Sequence, residues 1–221
     1  MSRFNEIVRF IDFDRKNNIV LEPNIRFQSL QERLFDAIKT YNPAIIVKTG
    51  IGSGKMLSAL VEQTSARIVA VEPSQKAIDD FLAKFSSPST EKRLNIIHGD
   101  FQSFPIDYYK ADMIVSIDYL DIFDMSRCID EFKRALNFDG IFFFAGVSLA
   151  DDDIEGLYDD FTRMLFPLHT DFYLTEDFKT IMGLKDFTFV KSMVLTFDRD
   201  LKAAFDYFGA FFGTQSRDDA R

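Results

Sequence analysis

Ala44-Ile45-Ile46-Val47-Lys48-Thr49-Gly50-Ile51-Gly52-Ser53-Gly54-Lys55 decides the fold. Four apolar residues in a row, bounded by Pro43 and a glycine cluster, form a strand buried on both faces. The glycines open backbone angles closed to other residues and let main-chain amides approach a ligand. From Gly54 to Thr64 the spacing turns helical, and a helix N-terminus behind a bare turn adds donors and positive dipole. Strand, glycine turn and helix in that order predict a nucleotide-like ligand on an α/β sheet.

The pattern repeats downstream. Arg67 to Val71, Leu94 to His98, Ala111 to Ile117 and Ile141 to Ala145 are further strands. Between them lie amphipathic helices with Ala77, Ile78, Phe81, Leu82 and Phe85 on one inward face, and Ile129, Phe132, Ala135 and Leu136 on another. Upstream, Ile7, Val8, Phe10 and Ile11 mark one helix, and Phe27, Leu30, Leu34 and Ile38 a second. Beyond Ser148, Asp151-Asp152-Asp153 opens a helix carrying Ile154, Leu157, Tyr158, Phe161, Met164 and Leu165. A short helix over Thr175 to Ile181, a strand or strand pair over Phe187 to Phe197, and a closing Phe-rich helix with Phe205, Phe208, Phe211 and Phe212 follow. From Thr214 the tail reads as polar and frayed. The 221 residues make one domain: a helical cover over 1–42, a ligand-binding core over 43–148, and a substrate-side insertion with the far sheet edge and closing helix over 149–221.

Composition narrows the partners. A net charge of −9 argues against nucleic acid, whose phosphates need basic surface. Cys128 stands alone, so no internal disulfide or cysteine-based zinc site can form, and the two histidines have no metal-ligand spacing. No uncharged apolar run reaches the roughly 18–20 residues of a membrane span. The opening Met1-Ser2-Arg3-Phe4-Asn5-Glu6 lacks a charged-then-apolar leader pattern, and the expectation is a cytoplasmic protein with no membrane partner. Twenty-six Phe suggest an apolar small-molecule pocket, with Phe161, Phe166, Phe172 and Tyr173 as its candidates in the insertion. The same rings could equally cement helices to the sheet, and the closing helix could make a homodimer seam.

Three patterns compete for the glycine turn. A phosphate-binding P-loop needs glycine where Thr49 stands and a hydroxyl where Met56 stands, and is rejected. The dinucleotide pattern G-x-G-x-x-G fits Gly50 and Gly52 but puts its third glycine on Lys55, which leaves a nicotinamide-dependent oxidoreductase open but weakened. The pattern G-x-G-x-G is met by Gly50, Gly52 and Gly54. Two acids stand at the next two strand ends. Glu72 follows Gly54 by 18 positions, where an acid can accept both hydroxyls of a ribose. Asp100, followed by the apolar Phe101, stands after the third strand.

The glycine turn, the two acids, Ala111-Asp112-Met113-Ile114-Val115-Ser116 and Phe138-Asp139-Gly140-Ile141-Phe142-Phe143 together resemble the class I S-adenosylmethionine-dependent methyltransferases over residues 43 to 148. The resemblance implies a Rossmann-like, doubly wound, mostly parallel sheet of six or seven strands. It also implies S-adenosylmethionine as methyl donor, S-adenosylhomocysteine as product and a small-molecule acceptor. The implied cofactor set is Lys48, Thr49, Gly50, Ile51, Gly52, Gly54, Glu72, Pro73, Asp100, Phe101 and Ser116, with no metal. Asp118 and Tyr119, leaving the fourth strand, are candidates to contact or deprotonate the acceptor. His98 is expected to be structural, while His169 could reach a pocket. One position departs from the family: Lys48 stands where an acid is usual. A lysine there puts positive charge near a sulfonium and an ammonium, which costs binding unless it turns away or pairs. It could instead hold an anionic substrate or the cofactor carboxylate, and a catalytically silent binding relative is the alternative.

Overall fold

A computed structural model describes residues 2–17, 24–85, 92–196 and 201–218. Where the sequence reads as one domain, the backbone gathers into two compact units, Gln28–Gly146 and Met1–Phe27 with Val147–Arg221.

The first of these is the α/β sheet. Helix α2 (Asn24–Tyr41) leads into β1 (Ile45–Thr49), α3 (Lys55–Gln63), β2 (Arg67–Glu72), α4 (Gln75–Phe85), β3 (Leu94–His98), β4 (Ala111–Ile117), α5 (Met125–Ala135) and β5 (Leu136–Ala145). The strands lie in the order β3-β2-β1-β4-β5, every neighbouring pair parallel. Apolar strand residues such as Ile46, Val71 and Ile114 are buried, as are Leu57 and Leu60 of α3, Phe81 of α4 and Phe132 of α5. Asp124 caps α5 by accepting the Arg127 amide at 3.0 Å. Leu82, expected inward on α4, is exposed instead.

The sheet corrects the expected strand number. Five strands, not six or seven, pair among the described residues. The stretch expected to supply the rest, 187–196, takes no regular secondary structure, joins no ladder and is exposed from 188 onward, while 197 lies outside the described residues. A strand needs a neighbour as well as an alternating pattern, and here none stands beside it.

Arg134 of α5 fastens the loop after β3. Its guanidinium donates to the carbonyls of Phe104 and Ile106, each at 2.8 Å, and to Glu131, which also accepts the Phe104 amide at 2.9 Å. The Arg134 hydrogen bond holds the Glu131 carboxyl below its ordinary range, and Glu131 in turn raises Arg134.

The other unit is helical and aromatic. It comprises α1 (Arg3–Asn17), α6 (Leu157–Leu165), α7 (Thr175–Leu184) and α8 (Leu201–Asp218). Phe10 meets Phe166 at 4.3 Å between ring centres and Phe211 at 5.3 Å, while Phe166 stacks on Phe208 at 5.1 Å. The Tyr207 hydroxyl donates to the buried Asp14 carboxylate. The closing helix thus turns Phe208 and Phe211 into its own unit, leaving Phe205 about half exposed. Phe161 meets Phe205, and Phe172 stacks on Tyr158.

Two boundaries in this unit differ from the sequence reading. α6 starts at Leu157, not at the acidic run, because Gly156 takes a left-handed conformation (φ +70°). Asp153 caps the first turn by accepting the amides of Leu157 (2.7 Å) and Tyr158 (2.9 Å). Of the apolar residues expected on this helix, Ile154 precedes it, and Ile154, Leu157 and Met164 are exposed. α8 carries on to Asp218 through the residues expected as a frayed tail. Among the described residues, no helix is long and apolar enough to cross a membrane, and no cluster of His, Cys, Asp and Glu could hold a metal.

Candidate cofactor and active site

Strand order reverses between β1 and β4, so their carboxyl ends flank the crevice where ligands bind in open α/β sheets. Thr49 and Ser116 end these strands side by side, and the Thr49 hydroxyl donates to Ser116 Oγ at 3.0 Å in a buried bridge. The chain then bends through the glycines. Gly50, Gly52 and Gly54 all take positive φ, at +69°, +57° and +84°. That conformation is strained for a residue with a Cβ, which explains glycine at alternate positions. Gly54 also abuts Phe81 and Phe85, where a Cβ would come within about 3 Å of both rings. At Gly52 a Cβ would meet nothing within 4 Å.

Glu72 holds this bend to the sheet. Its carboxylate accepts the Ile51 amide at 2.7 Å on one oxygen and the Ser74 amide at 2.9 Å on the other, and the residue is almost wholly buried. The Gly50 amide donates to Val71 at 2.7 Å, and the Gly99 amide to the Glu72 carbonyl at 3.1 Å. Pro73 is buried behind it, its carbonyl 2.9 Å from His98 Nε2, which gives that histidine the structural place expected of it.

Lys48 is buried too. Its ammonium donates to the Gly50 carbonyl at 2.6 Å and the Thr49 carbonyl at 3.2 Å, folding back on the turn it precedes. The two carbonyl dipoles answer its positive charge.

An aromatic lid faces the bare turn from the other side. The Tyr119 ring lies 3.6 Å and the Phe101 ring 3.8 Å from the position a Cβ on Gly50 would take. Phe101 is itself buried, 4.9 Å from the Phe123 ring. Tyr119 gets there through unusual backbone: Asp118 and Tyr119 both adopt left-handed φ, +59° and +65°. Side-chain-bearing residues in that region cost of order 1–3 kcal/mol each, and such strain gathers at ligand sites. The Asp118 amide, donating to Ala145 at 2.8 Å, and the Leu120 amide, donating to Asp118 at 2.9 Å, hold the bend in place.

Asp100 occupies the tip of β3 and bends its carboxylate onto the Gln102 amide at 2.9 Å. The site therefore brings together Lys48, Thr49, Gly50, Ile51, Glu72, Phe101, Ser116 and Tyr119, while Asp100 is engaged in its own turn. His169 lies in the other unit, buried, with Nε2 2.7 Å from Asp159. Ser74 and Phe123 went unnoticed in the sequence. Ser74 carried a signal, a hydroxyl three residues before Ala77 that caps α4 at 3.0 Å. Phe123 carried none, being one Phe among many.

Residues 47–144 match the family described as a methyltransferase domain. No curated protein matches the chain. Among solved structures, a candidate sarcosine dimethylglycine methyltransferase from Galdieria sulphuraria is similar with a TM-score of 0.64 at 15% identity, covering 71% of this chain and 60% of that one. The YcgJ protein from Bacillus subtilis gives 0.59 at 16%, covering 71% and 67%. PigF, solved with SAH, gives 0.57 at 17%, covering 69% and 48%. At such identities the likeness shows the fold, and the matched region spans from about half to two thirds of these proteins' length.

Proposed function

We propose that this chain, whose residues 47–144 match a family described as a methyltransferase domain, transfers a methyl group from S-adenosylmethionine to a small-molecule acceptor. The observation that carries the reading is the three-glycine bend clamped by a buried carboxylate at the switch point. The residues fit a nucleoside: bare backbone at Gly50 and Gly52, an acid at the tip of β2, and an apolar ring at Phe101. When bound, S-adenosylmethionine supplies an electrophilic methyl carried on a sulfonium.

The chain's own residues then bind, align and exclude water. Glu72 accepts the ribose hydroxyls while keeping the turn amides in place, and Pro73 backs it. Asp100 takes the adenine amino group on turning from the Gln102 amide, and Phe101 packs on the base. Thr49, Ile51 and Ser116 line the floor, and Lys48 holds the cofactor carboxylate. Tyr119 swings off Gly50 to cover the acceptor, with Asp118 beside it to orient the acceptor or take its proton. Alignment of this kind supplies effective molarities of about 10⁵–10⁸ M, so positioning is enough without a catalytic triad. The enzyme works in the cytoplasm as a homodimer in this reading, the lone buried Cys128 suiting a reducing compartment.

Titration calorimetry with S-adenosylmethionine and S-adenosylhomocysteine tests the reading. Heat from both, weakened at least tenfold by Glu72→Ala, is expected; silence at millimolar ligand overturns it. Lys48 favours a second reading, a relative that binds without turnover, because an ammonium disfavours a sulfonium relative to a neutral thioether. S-adenosylhomocysteine bound far more tightly than S-adenosylmethionine, with no radiolabelled methyl passed to any acceptor, would mark that case.

A further inference from the structure

Thr188-Phe189-Val190-Lys191-Ser192-Met193-Val194-Leu195-Thr196 has the composition of a strand but joins no sheet among the described residues. It takes no regular secondary structure, it contains neither Gly nor Pro, and its backbone makes no hydrogen bond among the described residues. Phe189, Val190, Met193, Val194 and Leu195 are all exposed. A bare edge with this composition is an open template for another chain unless something covers it.

The order of the residues says what fits. Read from either end toward Ser192, the segment runs Thr, large apolar, Val, long side chain: it is close to a palindrome. An antiparallel strand pair about a two-fold axis matches residue i with j and j with i. Centred on Ser192, that axis sets Val190 against the partner's Val194, Phe189 against the partner's Leu195, and Thr188 against the partner's Thr196. Aromatic with aliphatic, β-branched with β-branched and Thr with Thr are the favourable cross-strand pairs. The register is guarded as well, since centring on Lys191 would set two ammonium groups directly opposite. Pairing also satisfies the free backbone amides and carbonyls on one edge of both copies.

We propose that 188–196 is a homodimer interface, in which two copies of this chain form a two-stranded antiparallel ribbon centred on Ser192. The proposal places the homodimer seam on this segment and not on the closing helix, and it stands apart from the cofactor reading, which calorimetry tests separately.

Sedimentation of the full chain should give a dimer of the 25.5 kDa chain. Residues facing each other across an antiparallel pair have Cα atoms about 4.5–5.5 Å apart, within disulfide reach. Ser192→Cys should therefore oxidise to a crosslinked dimer, while Met164→Cys, an exposed site elsewhere, should not. Cys128 is buried and does not compete. Val190→Lys with Val194→Lys should weaken association at least tenfold, whereas Val190→Lys with Val194→Glu should restore it by pairing lysine with glutamate across the axis. A monomeric wild-type chain overturns the proposal, as it would if the segment lay on a sheet edge of its own chain. Crosslinking of Ser192→Cys no better than the control, or a Lys/Glu variant no more dimeric than the Lys/Lys one, overturns it equally.

Discussion

Glu72 answers two backbone amides from one buried carboxylate, so its charge state and its shape both matter. In Glu72→Gln the side-chain NH2 must face one of those amides. A buried donor left without an acceptor costs about 1–3 kcal/mol. Thermal unfolding should show that loss, and the stabilisation by S-adenosylhomocysteine seen in the parent should shrink with it. The glycines separate two effects. Gly52→Ala and Gly54→Ala share the strain of a left-handed backbone, about 1–2 kcal/mol. Only at Gly54 does the new Cβ press on Phe81 and Phe85, adding roughly 1–3 kcal/mol of crowding. Urea denaturation should rank Gly54→Ala clearly below Gly52→Ala.

Between elements, the Glu131–Arg134 clamp ties α5 to the loop after β3 and makes a pH-dependent contribution. The folded state lowers the Glu131 carboxyl from its ordinary value of 4.5. Its stabilisation is then complete above that value and disappears as the pH falls through the lowered one. Glu131→Gln should be less stable than the parent at neutral pH, and the gap should close in acid, as measured by denaturant titration across the two ranges. At α6, Asp153→Ala removes a cap that accepts two amides and should cost about 1 kcal/mol. Local pattern made the five sheet strands and the glycine bend legible, because burial on both faces leaves an unbroken apolar run and positive φ leaves glycine. It failed where the outcome depends on what lies opposite. Ile154 fits a helical period yet precedes the helix, since Gly156 sets the start. Residues 187–196 have a strand's composition, but whether an edge of its own sheet lies beside the segment is decided elsewhere in the chain. Asp100 was legible as an acid at a strand tip; its engagement with the Gln102 amide is a choice of rotamer that spacing does not report.

At the scale of the molecule, one unit is continuous in sequence and the other is not: Met1–Phe27 needs Val147–Arg221 to complete it. Its cohesion is aromatic, with Phe10 touching Phe166, Tyr207 and Phe211 at once. Phe10→Ala should remove about 3–5 kcal/mol there. Hydrogen exchange should show faster amide turnover in both α1 and α8, because each is the other's cover.

This arrangement has a consequence for the chain as it leaves the ribosome. The greasy side of α1, with Ile7, Phe10 and Ile11, is made about 200 residues ahead of Phe211 and cannot meet it until that stretch has been synthesised. At about 5–20 residues per second, that wait is on the order of 10–40 s. The sheet in between can assemble meanwhile, whereas α1 waits with its apolar side uncovered, open to a chaperone or to its neighbours on the polysome.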